Sequence, residues 1–166
     1  MKHPDPERAD RRRRLLTVGI EAFGSTPYDE VLVSELARSA GVAAGLPFHY
    51  FGSKRGYFVA VLDEIRLQMR DVMVAPADRP AADAVREMLR AHLRWLRGHP
   101  QQLRELVRGG QTEDAEVRAA FEATRWDGAR RILDTLGVPE LDDSTRMFVI
   151  GWIALKDEVM LSWIDR

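Results

Sequence analysis

The residues whose types and spacing could do chemistry crowd toward the N-terminus. Ser53 and Lys54 open a long helical pattern. There, unpaired backbone N–H groups beside a cation form a grip for a phosphate. Just ahead runs AGVAAGLPFHYFGSKRGYF, residues 40–58, with Phe48, Tyr50, Phe51 and Tyr57 around His49. Upstream, Arg8, Arg11, Arg12, Arg13 and Arg14 share one helical segment. Residues 1–60 carry nine Lys/Arg against seven Asp/Glu, whereas the whole chain has net charge −1, so positive charge is concentrated here. Such a cluster suits holding a polyanion, not making or breaking bonds.

Catalytic and metal constellations fail on spacing. His92 and His99 lie seven residues apart on one helix, two turns, too far to share one metal ion. Glu113-Asp114 and Asp142-Asp143 stand at helix starts, where capping and the helix dipole account for them. There is no glycine-rich phosphate loop after a strand, no nucleophile elbow and no zinc spacing. The absence of cysteine excludes disulfides, thiolate metal sites and a cysteine nucleophile. The expectation is no enzymatic activity, no cofactor and no metal.

The elements that must position these residues all read as helices. No segment alternates with period two, and no Asn-Gly or Asp-Gly hairpin signal occurs. A first helix opens at Asp5-Pro6 and runs to Phe23-Gly24. A second covers Val33 to Ala40 and stops at Gly41. A short third spans Ala44 to Phe51. Ser53 caps a fourth that reaches Val74. The linker Ala75-Pro76-Ala77-Asp78-Arg79-Pro80 follows, then helices over 81–98, 101–110, 114–136 and 143–165. No apolar run approaches the roughly 20 residues of a membrane span. The N-terminus lacks the apolar core of a signal peptide. The expected location is the cytoplasm, with no membrane partner.

A helix, a glycine turn and a short second helix is the sequence form of a helix-turn-helix, in which the second helix enters the major groove. Ordinary packed hairpins share that form, but AFGSTPYDEVLVSELARSAGVAAGLPFHYFGSKRGYF narrows it. The stretch resembles the DNA-binding domain of TetR-family transcriptional regulators. The resemblance rests on Ala22-Phe23, Tyr28, Leu36-Ala37, Ala40-Gly41-Val42, His49-Tyr50-Phe51 and Ser53-Lys54, and runs over about residues 15–62. It implies an all-α chain: residues 1–60 form a helix-turn-helix domain, and 61–166 a helical effector-binding and dimerisation domain. Family members usually continue into one more helix than this chain carries. Four residues depart from the family pattern. Leu32 and Ala43 stand where Ser or Thr caps are usual. Phe48 replaces a tyrosine. Pro47 lies inside the third helix, so that helix must start late or be distorted.

On this resemblance double-stranded DNA is the partner. Ala44, Gly45 and His49 are expected to face bases. Tyr50 and Lys54 are expected to grip phosphate, with Arg11 and Arg14 on the DNA side of the first helix. Phe48 and Phe51 should clamp the third helix to the core. The last helix, RMFVIGWIALKDEVMLSWI, is apolar almost all round from Met147 to Leu155 and needs cover on two sides. The resemblance implies a homodimer through Phe148, Trp152, Leu155, Val159 and Trp163. All four tryptophans lie beyond residue 90. A pocket for an apolar or aromatic effector is expected among Met88, Trp95, Phe121, Trp126 and Trp152, with His92 or Arg125 as the polar contact. The implied function is a ligand-responsive repressor, released from a palindromic operator by that effector. The alternative is a small-molecule or protein-binding module on the same fold that has lost DNA recognition, which the four departures keep open.

Overall fold

The computed structural model describes residues 6–100, 104, 112–138 and 140–164. Among them it has α-helices and no strand: α1 (Pro6–Ser25), α2 (Val33–Ser39), α3 (Leu46–Phe51), α4 (Lys54–Val72), α5 (Ala81–Gly98), α6 (Ala115–Thr135) and α7 (Asp143–Ile164). One 3-10 turn, Tyr28–Glu30, separates α1 from α2. Of the helix expected over 101–110 only Arg104 is among the described residues, and it is helical.

Helices α1 and α4 form because each carries a single apolar stripe. Leu15, Leu16, Gly19, Ile20 and Phe23 are the buried side of α1. Tyr57, Phe58, Val61, Leu62 and Ile65 are that of α4. The spacing repeats every three to four residues, so one face of each helix leaves water. The two helices meet at Gly19, where a Cβ would lie 2.7 Å from Val61 Cγ2. At the same crossing the buried Tyr57 hydroxyl donates to the Leu15 carbonyl. Phe23, Tyr28 and Phe58 pack edge-on or stacked beside it, with 5.0 Å between the Phe23 and Phe58 centroids.

Helix α2 has Leu32 as its N-cap and no side-chain cap bond. Its C-terminus is specified instead. Gly41 has φ 65°, its N–H reaches the Arg38 carbonyl, and the Val42 N–H reaches Ala37, closing the helix with a left-handed glycine.

Helix α3 takes the late start that Pro47 allowed, and differs from expectation in the face that packs. It begins at Leu46 rather than Ala44, with Gly45 as N-cap, so Pro47 falls in the first turn. There its missing N–H has no helical acceptor to lose. The late start also changes which face packs. Pro47 is buried, Tyr50 and Phe51 pack against the core, and Phe48 is 49% exposed. Phe48 therefore does not clamp the helix. Pro47 and Phe51 do, with Phe51 stacked flat on Tyr57 at 4.5 Å. Burying Leu36 of α2 alone is worth about 1.5–3 kcal/mol, as much as a missing cap costs, about 0.5–2 kcal/mol. Tertiary packing thus holds two short, uncapped helices.

The main core does not stop at residue 60. Val117 and Phe121 of α6 join the cluster built by α1, α2 and α4. Asp114 caps α6 by accepting from the Glu116 and Val117 N–H groups. A smaller cluster joins Ala129 and Leu133 of α6 to Val149 and Ile153 of α7. Helix α7 buries Val149, Ile153 and Met160, yet leaves Met147 and Phe148 about three-quarters exposed, with Leu155, Val159 and Trp163 also open. No described helix is long and apolar enough to cross a membrane.

Candidate nucleic-acid interface and interior cavity

The short helix α3 and the turn before it present a narrow, open face. Ala43, Ala44, Gly45 and His49 are all exposed. Beside that face runs a surface groove of about 490 Å³, lined by Arg8, Arg11, Gly41, Val42, Ala43, Leu46, His49 and Tyr50. The fold thus brings Arg11, His49 and Tyr50 to one groove and adds Arg8. Ala44 and Gly45 sit at its lip in the turn. The Tyr50 hydroxyl donates to the Arg8 carbonyl at 3.2 Å, and the Arg8 guanidinium lies over the Tyr50 ring. These contacts fix the first turn of α1 against α3. Arg11 pairs with Glu7 and Arg14 with Asp10, both partners being one turn back. The Asp10 carboxyl is held below its ordinary range, chiefly by its bond to Arg13.

Lys54 lies at the opposite end of α3, in the first turn of α4. Ser53 caps that helix by accepting from the Gly56 N–H. The Lys54 ammonium donates to the Asp29 carbonyl at 3.0 Å and sits 4.9 Å from the Tyr28 ring centroid. An ammonium has three N–H donors, so the one bond to Asp29 orients it and leaves donors for a phosphate. Arg55 turns away. Its guanidinium donates to Asp114 at 2.9 and 3.0 Å and to Glu116 at 2.8 Å. Asp114 is acidified first by that bond, then by the α6 backbone N–H groups it caps. This clamp ties the helix-turn-helix to α6, and the residues read from the sequence did not include it.

The interior holds a second feature. Helices α4, α5, α6 and α7 enclose a cavity in which the centre of a water-sized sphere has about 40 Å³ to move. Three of the residues expected at an effector pocket, His92, Arg125 and Trp152, line it together. The other four lie elsewhere. Met88 is buried and accepts from the Thr135 hydroxyl. Trp95 stacks on His99 at 4.6 Å. Phe121 belongs to the main core, under the Arg125 guanidinium. Trp126 lines a separate open groove with Arg146 over its ring. The wall also includes Met69, Met73, Thr124, Lys156 and Asp157, which sequence reasoning missed. Asp157 is buried, with one oxygen 2.8 Å from Arg125 Nε and the other 2.8 Å from Lys156 Nζ. The signal available was an acid inside an apolar helix, which must find a cation on another element. His92 is 4% exposed, and its Nδ1 has no hydrogen-bond partner. Burial, and then the Lys156 charge, push its pKa down to about 3. No cluster of groups able to hold a metal occurs among the described residues.

A slim exposed helix after a glycine turn, flanked by arginines and docked on a helical bundle, defines a helix-turn-helix protein. The family model of bacterial regulatory proteins, tetR family, matches residues 15–61. The HTH-type transcriptional regulator BetI of Cronobacter sakazakii is 35% identical over 77 residues, 46% of this chain and 38% of that protein. The Escherichia coli BetI is 34% identical over 64 residues, 33% of its length. The matched segment thus spans little more than a third of these curated relatives. Among solved structures, a tetR-family regulator from Streptomyces coelicolor superposes with TM-score 0.72 at 26% identity, covering 95% of this chain and 71% of that one. FadR of Bacillus subtilis, solved with stearoyl-CoA, shares the fold at TM-score 0.68 and 20% identity, covering 92% of this chain and 86% of its own. Residues 15–61 thus match the tetR-family helix-turn-helix, and the fold as a whole is the one seen in tetR-family regulators of known structure.

Proposed function

We propose that this protein is a DNA-binding transcriptional regulator, a repressor that holds a palindromic duplex as a homodimer and leaves it when a small molecule with an apolar body enters the helical domain. The observation that carries the reading is the exposed face of α3, with His49 at its centre, bracketed by the Arg8/Arg11 groove on one side and Lys54 on the other. Side chains at the centre read base edges while cations at both ends fix register on the phosphates. The apolar residues left open on α7, Phe148, Leu155, Val159 and Trp163, supply a surface for a second copy. Two copies place two reading helices on one face of a duplex, with half-sites about one helical turn, or a multiple of it, apart. The cavity wall of Met69, Met73, Ile132 and Trp152 supports an apolar ligand body. That the Bacillus subtilis neighbour was solved with stearoyl-CoA supports a small-molecule effector on this fold.

The test is selection of bound duplexes from a random pool, followed by salt titration on the enriched sequence. A palindromic consensus and a steep salt slope are expected. Enrichment of no sequence, with weak duplex binding even in low salt, would overturn the reading and leave a binding module that has lost DNA recognition.

A further inference from the structure

We infer that the cavity among α4, α5, α6 and α7 takes a compact amphipathic monocarboxylic acid, its carboxylate received by Lys156 and Arg125 beside His92 and its apolar body lodged against Met69, Met73 and Trp152. The inference deepens the regulator reading and rests on it for its biological meaning, though not for the binding itself.

Three observations point to this class. The first is charge. Arg125 and Lys156 face the cavity with a single carboxylate, Asp157, between them. One buried anion neutralises one of two cations, so the wall keeps one uncompensated positive charge. Glu122 also pairs with Arg125, but its side chain is 62% exposed and its contribution is screened by water. The second is donor supply. Asp157 has an ion-pair partner on each oxygen, and Lys156 has two N–H donors beyond its bond to Asp157. A wall with spare donors takes an acceptor-rich, anionic head rather than an amine. The third is His92. Its Nδ1 is buried without a partner, and the residue lines the cavity. A group buried that way is costly until something bonds it. A ligand oxygen near it gives the ring an acceptor for a donated N–H, and the negative charge opposes the influence of Lys156. Size sets the remaining limit. About 40 Å³ of free movement for a water-sized centre is well short of the roughly 150 Å³ that holds a benzene ring, so the flexible Met69 and Met73 side chains must give way to admit even one ring or a short branched chain, and a long acyl thioester is excluded.

The experiment is calorimetric titration of the whole chain with benzoate, hexanoate, benzamide and benzylamine, repeated on Lys156→Met and Lys156→Arg. Lys156→Met leaves Asp157 its bond to Arg125, and Lys156→Arg restores the cation, so loss through misfolding is told apart from loss of charge. Benzoate or hexanoate should bind at least about tenfold more tightly than benzamide, the factor worth 1.4 kcal/mol. Benzylamine should not bind. Lys156→Met should erase the preference for acid over amide, and Lys156→Arg should return it. Benzamide or benzylamine binding as well as benzoate would overturn the inference. So would a preference untouched by Lys156→Met, or no binding by either acid. Failure here with an enriched operator in the selection leaves the regulator reading standing. Success here with no operator leaves an acid-binding bundle that does not read DNA.

Discussion

His92 makes the stability of this protein depend on pH in a window where few other groups titrate. An unfolded histidine takes up its proton near pH 6.5. In the folded chain burial and Lys156 hold the imidazole neutral down to about pH 3. Lys156 and Asp157 on α7 and Arg125 on α6 are the charged groups that share its cavity. The folded pKa is below the unfolded one, so the unfolded state binds the extra proton and stability falls as pH drops below 6.5. From pH 8 to 5 the loss from this one group is about 2 kcal/mol, or roughly 4–8 °C in melting temperature for a chain of this size. The carboxylates of Asp10, Glu87, Asp114 and Asp142 are held below their usual range and add a loss closer to pH 4. They are common to parent and variant. Urea unfolding of the parent and of His92→Leu at both pH values therefore isolates the histidine. The variant should lose about 2 kcal/mol less than the parent on acidification, whatever its stability at pH 8. Parallel losses in the two proteins would refute the reasoning, because they would mean that His92 is hydrated or paired in solution.

The remaining expectations follow from single contacts. Lys54→Ala should weaken binding to all duplex sequences alike and flatten the salt slope by about one unit, whereas His49→Ala should change which sequence is enriched; identical effects of the two would sink the division of roles. Gly19→Ala should cost about 1–3 kcal/mol by chemical denaturation, since its methyl would press on Val61 at 2.7 Å and on Tyr57 at 3.1 Å; a neutral variant would mean that α1 and α4 are not in close contact. Phe148→Glu with Leu155→Glu should convert a dimer to a monomer by light scattering; a parent chain that is already monomeric at micromolar concentration removes α7 as the interface.

The parts of this fold that were legible in the sequence are those fixed by local chemistry. Gly41 and Ser53 announce a helix end and a helix start because a left-handed turn and an N-cap each need a particular residue type at one place. The apolar stripes of α1 and α4 follow from periodicity alone. The face of α3 was not legible to the same degree. Each residue turns an α-helix by about 100°, so moving the start from Ala44 to Leu46 redistributes the inward positions of a helix this short, and Pro47 takes the place expected of Phe48. Long-range pairs were hidden altogether. Arg55 meets Asp114 across 59 positions and Arg125 meets Asp157 across 32. No local pattern encodes such pairs. The tryptophans illustrate the converse error. Size and helical spacing marked Trp95, Trp126 and Trp152 as pocket candidates, but of these only Trp152 lies on the cavity wall, because Trp95 and Trp126 rotate onto other faces of their helices.

Two helices connect the cavity to the neighbourhood of the exposed face of α3. Helix α4 runs 19 residues, about 28 Å at 1.5 Å per residue. Lys54 lies at its start, and Met69 and Met73 meet the cavity at its far end. Helix α6 has the same arrangement. Its cap Asp114, with Glu116, holds Arg55, while Thr124, Arg125 and Gly128 line the cavity farther along. Helix α4 therefore begins beside α3, α6 begins beside the first turn of α4, and both reach the same interior space. Between those ends they are locked by fully buried side chains, Val61, Ile65, Val117 and Phe121 among them. Close-packed interiors transmit a displacement rather than absorb it. A ligand that separates α4 from α6 at the cavity must tilt one against the other about that packed middle, and the Arg55 clamp is where the tilt is felt. Such a ligand alters DNA binding only to the extent that it binds the two arrangements with different affinity. A clamp on the surface is weak enough to yield to a small molecule, where a second buried core would not be.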